Sequence, residues 1–152
     1  MFNLQDVSGL SGCFVNAGLA IATTTSKFKT TNTIKFAIGG KIYSYTNTDN
    51  ITPAMVTGSL PTLNAGGTAA GAQACVFLVV ADSSANIKVV QGPVVSGGEK
   101  APVPATPDGY AAIGAIKVDS GSSLFTLGTT ALTGGTVTVT YVDYAANPGG
   151  AI

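Results

Sequence analysis

The stretch IKFAIGGKIYSYT, residues 34–46, constrains the fold of this chain more than any other part of the sequence. Two runs of alternating apolar and polar residues meet there at Gly39-Gly40. A Gly-Gly pair supplies the positive φ angles that a two-residue β-hairpin turn requires. That turn places Phe36 opposite Tyr43, within a face of aliphatic and aromatic side chains that stabilises paired strands. We therefore predict a β-hairpin over these residues.

Four further stretches predict strands. Residues 74–81, ACVFLVVA, form a continuous apolar run whose length and β-branched content favour a buried central strand. Residues 87–95 return after turn-forming residues and complete a second hairpin. Residues 110–118 read as a strand in which Gly114 indicates a bulge or the close approach of another backbone. Residues 136–144, TVTVTYVDY, show the strictest period-two alternation in the chain.

These strands, together with a shorter one at residues 123–128, give about seven short strands separated by turn residues, and no amphipathic helix pattern accompanies them. The prediction is an all-β fold, an antiparallel β-sandwich or barrel. A length of 152 residues suits one domain. We assign residues 23–152 to that domain and residues 1–22 to an amino-terminal arm or first strand. Residues 46–73 lack a pattern, so we expect short irregular strands there or packing on a neighbouring molecule.

The surface is expected to carry few charges. Charged residues are 9% of the chain, against roughly 25% in typical soluble domains. Weakly charged surfaces tend to associate, which favours a homo-oligomer or assembly onto a larger body. The alternative is a monomer kept soluble by Thr, Ser and Asn. The formal net charge is zero and no basic stripe is present, so nucleic acid is not an expected partner.

The amino-terminal sequence lacks the basic region of a secretion signal and carries Asp6 instead, so we expect no signal peptide. No apolar run approaches the eighteen residues of a membrane-spanning helix, and no membrane partner is expected. Cys13 and Cys75 both lie in apolar sequence. We expect two reduced, buried thiols, although a disulfide between them stays open at this stage.

The residue inventory argues against catalysis. The chain contains no His, no Arg and no Trp, and Glu99 is its single glutamate. Without His, a Ser or Cys nucleophile lacks its usual base and a transition metal lacks its preferred ligand. Asn47, Asp49 and Asn50 resemble part of a calcium loop but lack its Gly and Glu, which favours an Asx-rich turn. We expect no enzyme, no catalytic residues, no metal and no cofactor.

The segment PVPATPDGY, residues 102–110, carries three prolines followed by Asp108-Gly109. Proline fixes φ and removes a backbone donor, so the segment cannot pair as a central strand. We predict a stiff, exposed crossover from one sheet to another, with Asp108-Gly109 turning the chain into the next strand. A domain linker and a polyproline ligand are the alternatives, and Lys100 is the only basic residue flanking such a ligand.

Four sequence blocks in order, GGKIYSYT, CVFLVVADSSANIKVVQGPVV, the proline segment and PDGYAAIGAIKVDSGSSLFTLGTTAL, resemble small structural proteins of tailed bacteriophage virions. The likeness covers residues 34–135 and is greatest to capsid decoration (cement) proteins and their head-fibre relatives. It implies an all-β protein on the outer capsid surface of the virion, made in the host cytoplasm. It also implies the major capsid protein as partner and self-association, with a trimer favoured.

On this resemblance we select candidate contacts to capsid or neighbouring subunits from the amino-terminal segment, whose only charged side chain is Asp6, two nearby lysines and the proline segment. The bland alternative for the lysines is a solvated edge strand. The candidates are Phe2, Leu4, Phe14, Lys27, Lys29, Pro102, Pro104 and Pro107.

A second hypothesis is a receptor- or glycan-binding module of a phage fibre or bacterial adhesin, with tyrosines as stacking platforms. The absence of Trp weakens it, and a plain β-strand core also explains most of these side chains. The tyrosines are Tyr43, Tyr45, Tyr110, Tyr141 and Tyr144.

Overall fold

The computed structural model describes residues 11–67, 71–134 and 137–144. These residues form twelve β-strands and contain no helix, which confirms the all-β prediction. The strands outnumber the predicted seven because several contain only two or three residues. They are β1 Gly12–Cys13, β2 Leu19–Ile21, β3 Phe28–Thr30, β4 Ile34–Ile38, β5 Lys41–Tyr45, β6 Thr62–Leu63, β7 Gln73–Asp82, β8 Ile87–Gln91, β9 Val95–Ser96, β10 Tyr110–Asp119, β11 Phe125–Thr126 and β12 Thr138–Asp143.

The largest sheet has five strands in the order β12-β10-β7-β8, and β9 also pairs with β7. Its pairings are all antiparallel. The ten-residue strand β7 lies in the middle, as its apolar run predicts. None of the sheets formed by the described residues closes into a barrel. The remaining sheets have the orders β1-β4-β5, β11-β6 and β2-β3.

The predicted hairpin is confirmed in its register. Gly39 and Gly40 both have positive φ, 57° and 81°, as a type I′ turn requires. Phe36 pairs with Tyr43, and their rings stack with centroids 5.7 Å apart. Phe36 is fully buried and belongs to the same core cluster as Phe77 of the five-stranded sheet. The three-stranded and five-stranded sheets therefore contribute to one hydrophobic core.

Both interpretations of Gly114 are confirmed. The pairing of β10 with β7 shifts register between Ala112 and Gly114, which marks a bulge. A Cβ atom on Gly114 would lie 2.4 Å from Leu19 Cδ1 and 2.6 Å from the Val142 carbonyl oxygen. Only glycine fits where β2 and β12 approach this closely.

The unpatterned segment 46–73 carries short irregular pairings in its described part. Ile51 bridges to Phe28, Met55 bridges to β8, and β6 pairs with β11. A buried serine fixes the end of the segment: Ser120 Oγ accepts a hydrogen bond from the Gln73 N–H and donates to the Asn64 carbonyl. Long-range contacts of this kind replace the local pattern that the sequence lacks.

The amino-terminal part that the structure describes belongs to the folded body. Residues 12–22 contain β1, which pairs with β4, and β2, which pairs with β3. Their apolar side chains Cys13, Ala17, Leu19 and Ala22 are buried.

Candidate partner-contact surface

The proline segment crosses the central strand of the five-stranded sheet. It connects β9 to β10, and these strands lie on opposite sides of β7. The expected passage from one sheet to another is therefore wrong. The reason is the short strand β9, which returns to β7 through Val95 and Ser96 and keeps the chain in the same sheet. The predicted turn is present, since the Tyr110 N–H donates to the Pro107 carbonyl across Asp108-Gly109.

Gly92 is the residue on which the segment packs. A Cβ atom there would lie 2.7 Å from the Pro102 carbonyl oxygen and 2.9 Å from that of Val76. Pro104 Cδ lies 3.1 Å from the same position. Gly92 is itself held by hydrogen bonds, donating to Val76 at 2.8 Å and accepting from the Cys75 thiol at 3.2 Å. The first half of the segment is thus fixed against the sheet backbone.

Pro107, in the second half of the segment, lines two shallow grooves. One groove, of about 340 Å³, is lined by Pro107 with residues 55–57 and Val90-Gln91. The other, of about 210 Å³, is lined by Pro107 with residues 11–12, its chain neighbours and Ala112. Pro107 therefore shares one groove with residues of β8 and the other with a residue of β10, the two strands that flank β7.

The position of the proline segment explains why β7 is buried on both faces. Phe77 and Val79 belong to the main core, whereas Leu78 and Val80 point to the other face and are also buried. Leu78 is paired with Val90, and Val80 with Ala112, the two residues beside Pro107. The crossing segment covers this second face.

The outer side of the segment is apolar at Pro102 and Val103, and Val94 is a further exposed apolar residue two positions after Gly92, on which the segment packs. We refer to these three residues as the apolar ridge. Pro102 is exposed, Val94 is 41% exposed and Val103 is 52% exposed. Pro104 and Pro107 are half-buried, and Pro104 lies against the Gly92 position. Of the three predicted proline contacts, Pro102 is the one that faces outward.

The other candidate contacts lie elsewhere. Phe14 is 38% exposed, beside the three-stranded sheet, where its N–H donates to the Lys35 carbonyl. Both lysines are half-buried; Lys27 lies just before β3 and Lys29 lies within it. Phe14, Lys27 and Lys29 line neither of the two grooves beside Pro107. Phe2 and Leu4 lie outside the described residues.

Asp49 anchors the Asx-rich bend at residues 49–50. Its carboxylate accepts hydrogen bonds from the Thr23 hydroxyl and N–H and from the Asn50 N–H. These bonds, those from Thr23 first, lower the pKa of Asp49. Asn50 adopts a positive φ of 56°, a conformation that Asn tolerates. The carboxylate oxygens are occupied in holding the loop.

Asp82 plays a similar part in the turn between β7 and β8. Desolvation alone would raise the pKa of Asp82, but hydrogen bonds from Asn86 and Ser84 outweigh it and the pKa is lowered. Both shifted carboxylates therefore serve turns, which is a structural use of acidic residues. Within the described residues, no group of three or more His, Cys, Asp or Glu is placed to hold a metal ion.

Both cysteines are free and buried, which confirms the expectation of two reduced thiols. Burial raises the pKa of Cys75 to about 11, and burial likewise raises the pKa of Cys13. A thiol that stays protonated is a poor nucleophile.

Three of the proposed stacking tyrosines, Tyr43, Tyr45 and Tyr141, pack against the core. Among the described residues, the buried Tyr141 hydroxyl oxygen has no hydrogen-bond partner. Tyr110 differs, because it lines the smaller groove beside Asp108, Thr106 and Ser11.

Comparison with protein-family models, with curated proteins and with solved structures finds no match. In the part of the chain that the structure describes, no helix has the length and apolar character to cross a membrane.

Sequence reasoning missed Gly92, Val103 and Ile42. Gly92 falls inside the strand predicted at residues 87–95, which in the structure ends at Gln91, and nothing local shows that a backbone ten residues away packs on Gly92. Val103 lies between two prolines, a pattern typical of an extended chain with a solvated backbone. Ile42 was detectable, because period two places it on the same face as Ser44, opposite Tyr43.

Proposed function

We propose that this protein is a virion structural protein that binds the outer surface of an assembled capsid and stabilises its subunit junctions. The observation that carries the proposal is the exposed apolar ridge of Val94, Pro102 and Val103, beside the packing of the proline segment on Gly92. The resemblance of the sequence blocks and their order to capsid decoration proteins supports the same function, with the major capsid protein as partner and the virion surface as location.

The ridge has the physical properties of a contact site. It is apolar and uncharged, like the centres of protein interfaces. Because prolines and the Gly92 contact already order it, binding loses little conformational entropy. A protein that binds only the assembled shell raises the stability of that shell by mass action. No catalytic chemistry is required for this role.

Self-association is part of the proposal, with a trimer favoured by the resemblance. Low charge over the whole chain supports it, since 9% charged residues leave a surface that resists association weakly. Light scattering coupled to size exclusion would give the mass of the free protein directly.

Co-sedimentation with empty capsids of tailed phages tests the main proposal. We expect the wild-type protein to sediment with capsids and not with unassembled capsid protein. Val103→Lys should weaken binding at least about tenfold, because a charge would have to be desolvated at the contact. Leu124→Lys is the matched control, since Leu124 is 59% exposed and lies outside the ridge. A protein that binds no capsid, or a Val103→Lys variant that binds normally, would contradict the proposal.

Glycan binding is the second candidate, favoured by one observation. The groove of about 210 Å³ brings Tyr110 together with Asp108, Thr106 and Ser11, an aromatic face beside polar groups. A glycan array with the free protein distinguishes the two functions: selective glycan binding that Tyr110→Ala abolishes supports this candidate, and an array without binding excludes it.

A further inference from the structure

The strand β5 has an outer edge that no described residue covers. It is the last strand in the order β1-β4-β5, and its only neighbour is β4. By contrast, the edge strand β8 of the five-stranded sheet is covered. Residues 54–56 cover it through hydrogen bonds from the Val56 N–H to Val89 and from the Val89 N–H to Ala54.

The hairpin geometry identifies which backbone groups point to this edge. In a two-residue hairpin the residues flanking the turn, Ile38 and Lys41, form a hydrogen-bonded pair, and such pairs alternate along the strands. Tyr43 and Tyr45 therefore use their backbone groups toward β4. The N–H and C=O groups of Ile42 and Ser44 point outward.

The edge also lacks the features that prevent strand pairing. β5 contains no proline and no bulge, and its only charge is Lys41 at the turn. Ile42 is 63% exposed, the most exposed large apolar side chain of the described residues. A bare edge beside an exposed Ile is a template for another strand.

We propose that two copies of this chain pair antiparallel through β5. A two-fold axis at Tyr43 aligns the five residues of both strands from end to end. Ile42 of one copy then lies opposite Ser44 of the other, and this pair exchanges both outward backbone hydrogen bonds. The two-fold axis generates a second Ile42–Ser44 pair of the same kind. All outward backbone groups of β5 then have hydrogen-bond partners, and one six-stranded sheet spans the dimer.

Side chains and charge fit a second copy in this register. Tyr43 meets its own counterpart on the inner face, and aromatic cross-strand pairs stabilise sheets. Lys41, whose Nζ already lies 5.6 Å from the centre of the Tyr43 ring, faces Tyr45 of the second copy. The two Lys41 residues are separated by about 14 Å along the strands, four residues at about 3.4 Å each. That separation exceeds the Debye length of about 10 Å at 0.1 M salt.

The contact is isologous and independent of capsid binding. It uses one short strand per copy and therefore buries less surface than a standard interface of about 1,600 Å². The dimer is accordingly weak and concentration-dependent. A trimer requires a different, heterologous surface. Both can therefore occur in one particle, where β5 would join one trimer to the next.

Sedimentation velocity over a wide range of protein concentration tests the pairing. We expect the average mass to rise with concentration toward twice that of the basic unit. Ile42→Lys should raise the dissociation constant by about tenfold or more, because it places two like charges diagonally across the pair. Leu124→Lys, equally exposed and outside β5, should behave as wild type. A mass independent of concentration, or equal effects of the two variants, would overturn the proposal.

Amide hydrogen exchange gives a second, site-specific measurement on the wild-type protein. The outward N–H groups of Ile42 and Ser44 should exchange quickly in dilute protein and become protected as concentration rises. Protection that appears at other strands and leaves β5 unchanged would assign self-association to another surface and overturn the β5 contact. Capsid binding can fail in its own experiment without altering either result.

Discussion

At the scale of single residues, the Tyr141 hydroxyl is the least satisfied group in the described structure. It lies on β12, its oxygen is buried, and it has no hydrogen-bond partner there. Its ring packs against the core, so the aromatic part contributes to stability while the hydroxyl opposes it. A buried polar atom of this kind costs free energy in the folded state.

Tyr141→Phe removes that cost and keeps the ring. We expect the free energy of unfolding to rise by about 1 kcal/mol, measured by urea denaturation. Tyr45→Phe is the control, a half-buried tyrosine on the same core whose substitution should change stability by less than about 0.5 kcal/mol. A destabilised Tyr141→Phe would show that the hydroxyl makes a bond that matters.

Tyr141 also predicts how stability responds to alkaline pH. Burial raises the pKa of Tyr141 to about 12, from an ordinary value of 10. The neutral form is therefore favoured by folding, and its contribution is complete below pH 10 and lost as pH rises through 12. Wild-type stability should fall over that range, and Tyr141→Phe should lose less. Parallel curves for the two proteins would contradict the assignment.

The two close-approach glycines show what a sequence reveals about single positions. Gly114 interrupts a strand pattern, and that interruption alone predicted a bulge or close contact. Gly92 fell inside the strand predicted at residues 87–95, and its neighbours in the sequence give no sign of a close contact. Its role depends on Pro102, which reaches it only through the folded sheet.

At the scale of elements, the long strands were predictable and the short ones were not. The hairpin β4–β5 and the strands β7 and β10 each carry enough residues for a pattern of period two or a continuous apolar run. β6 and β11 have two residues each and exist only because they pair with each other across the fold. The predicted strand at 123–128 shortens to Phe125–Thr126 for the same reason.

The candidate surface was predictable only in part. The turn of the proline segment at Asp108-Gly109 follows from residue chemistry and is present. The stiffness of the segment stays a prediction. The route of the segment does not follow from residue chemistry, because the pairing of β9 with β7 decides it and two residues leave no pattern. The assignment of Pro102, Val103 and Val94 to one ridge required the folded sheet.

Gly92→Ala tests the packing of the crossing segment. The new Cβ would meet two backbone carbonyl oxygens within 2.9 Å, and neither can move without shifting the sheet or the segment. We expect a loss of about 1–3 kcal/mol in the free energy of unfolding, measured by denaturant titration.

Gly12→Ala is the matched control for that substitution. Nothing lies within 4 Å of its Cβ position, and its φ is not in the left-handed region. Gly12→Ala should leave stability nearly unchanged. If Gly92→Ala were tolerated equally well, the segment would not be held in the way we describe.

At the scale of the whole molecule, the two buried cysteines report on global unfolding. Cys13 lies in the three-stranded sheet and Cys75 in the five-stranded sheet. We expect neither thiol to react with an aromatic disulfide reagent in the native protein at neutral pH, and both to react in denaturant. Leu124→Cys provides an exposed control thiol that should react at once. Rapid reaction of a native cysteine would show that one sheet opens independently.

The crossing of β7 has a consequence for how the chain reaches its native state. The proline segment can cover Leu78 and Val80 only after β9 and β10 have joined β7 from either side. Until then the run VFLVV is open on one face, and the contacts that close it connect residues far apart in sequence, which slows folding. Newly made chains are therefore most prone to aggregation at this stage, with β7 as the exposed segment.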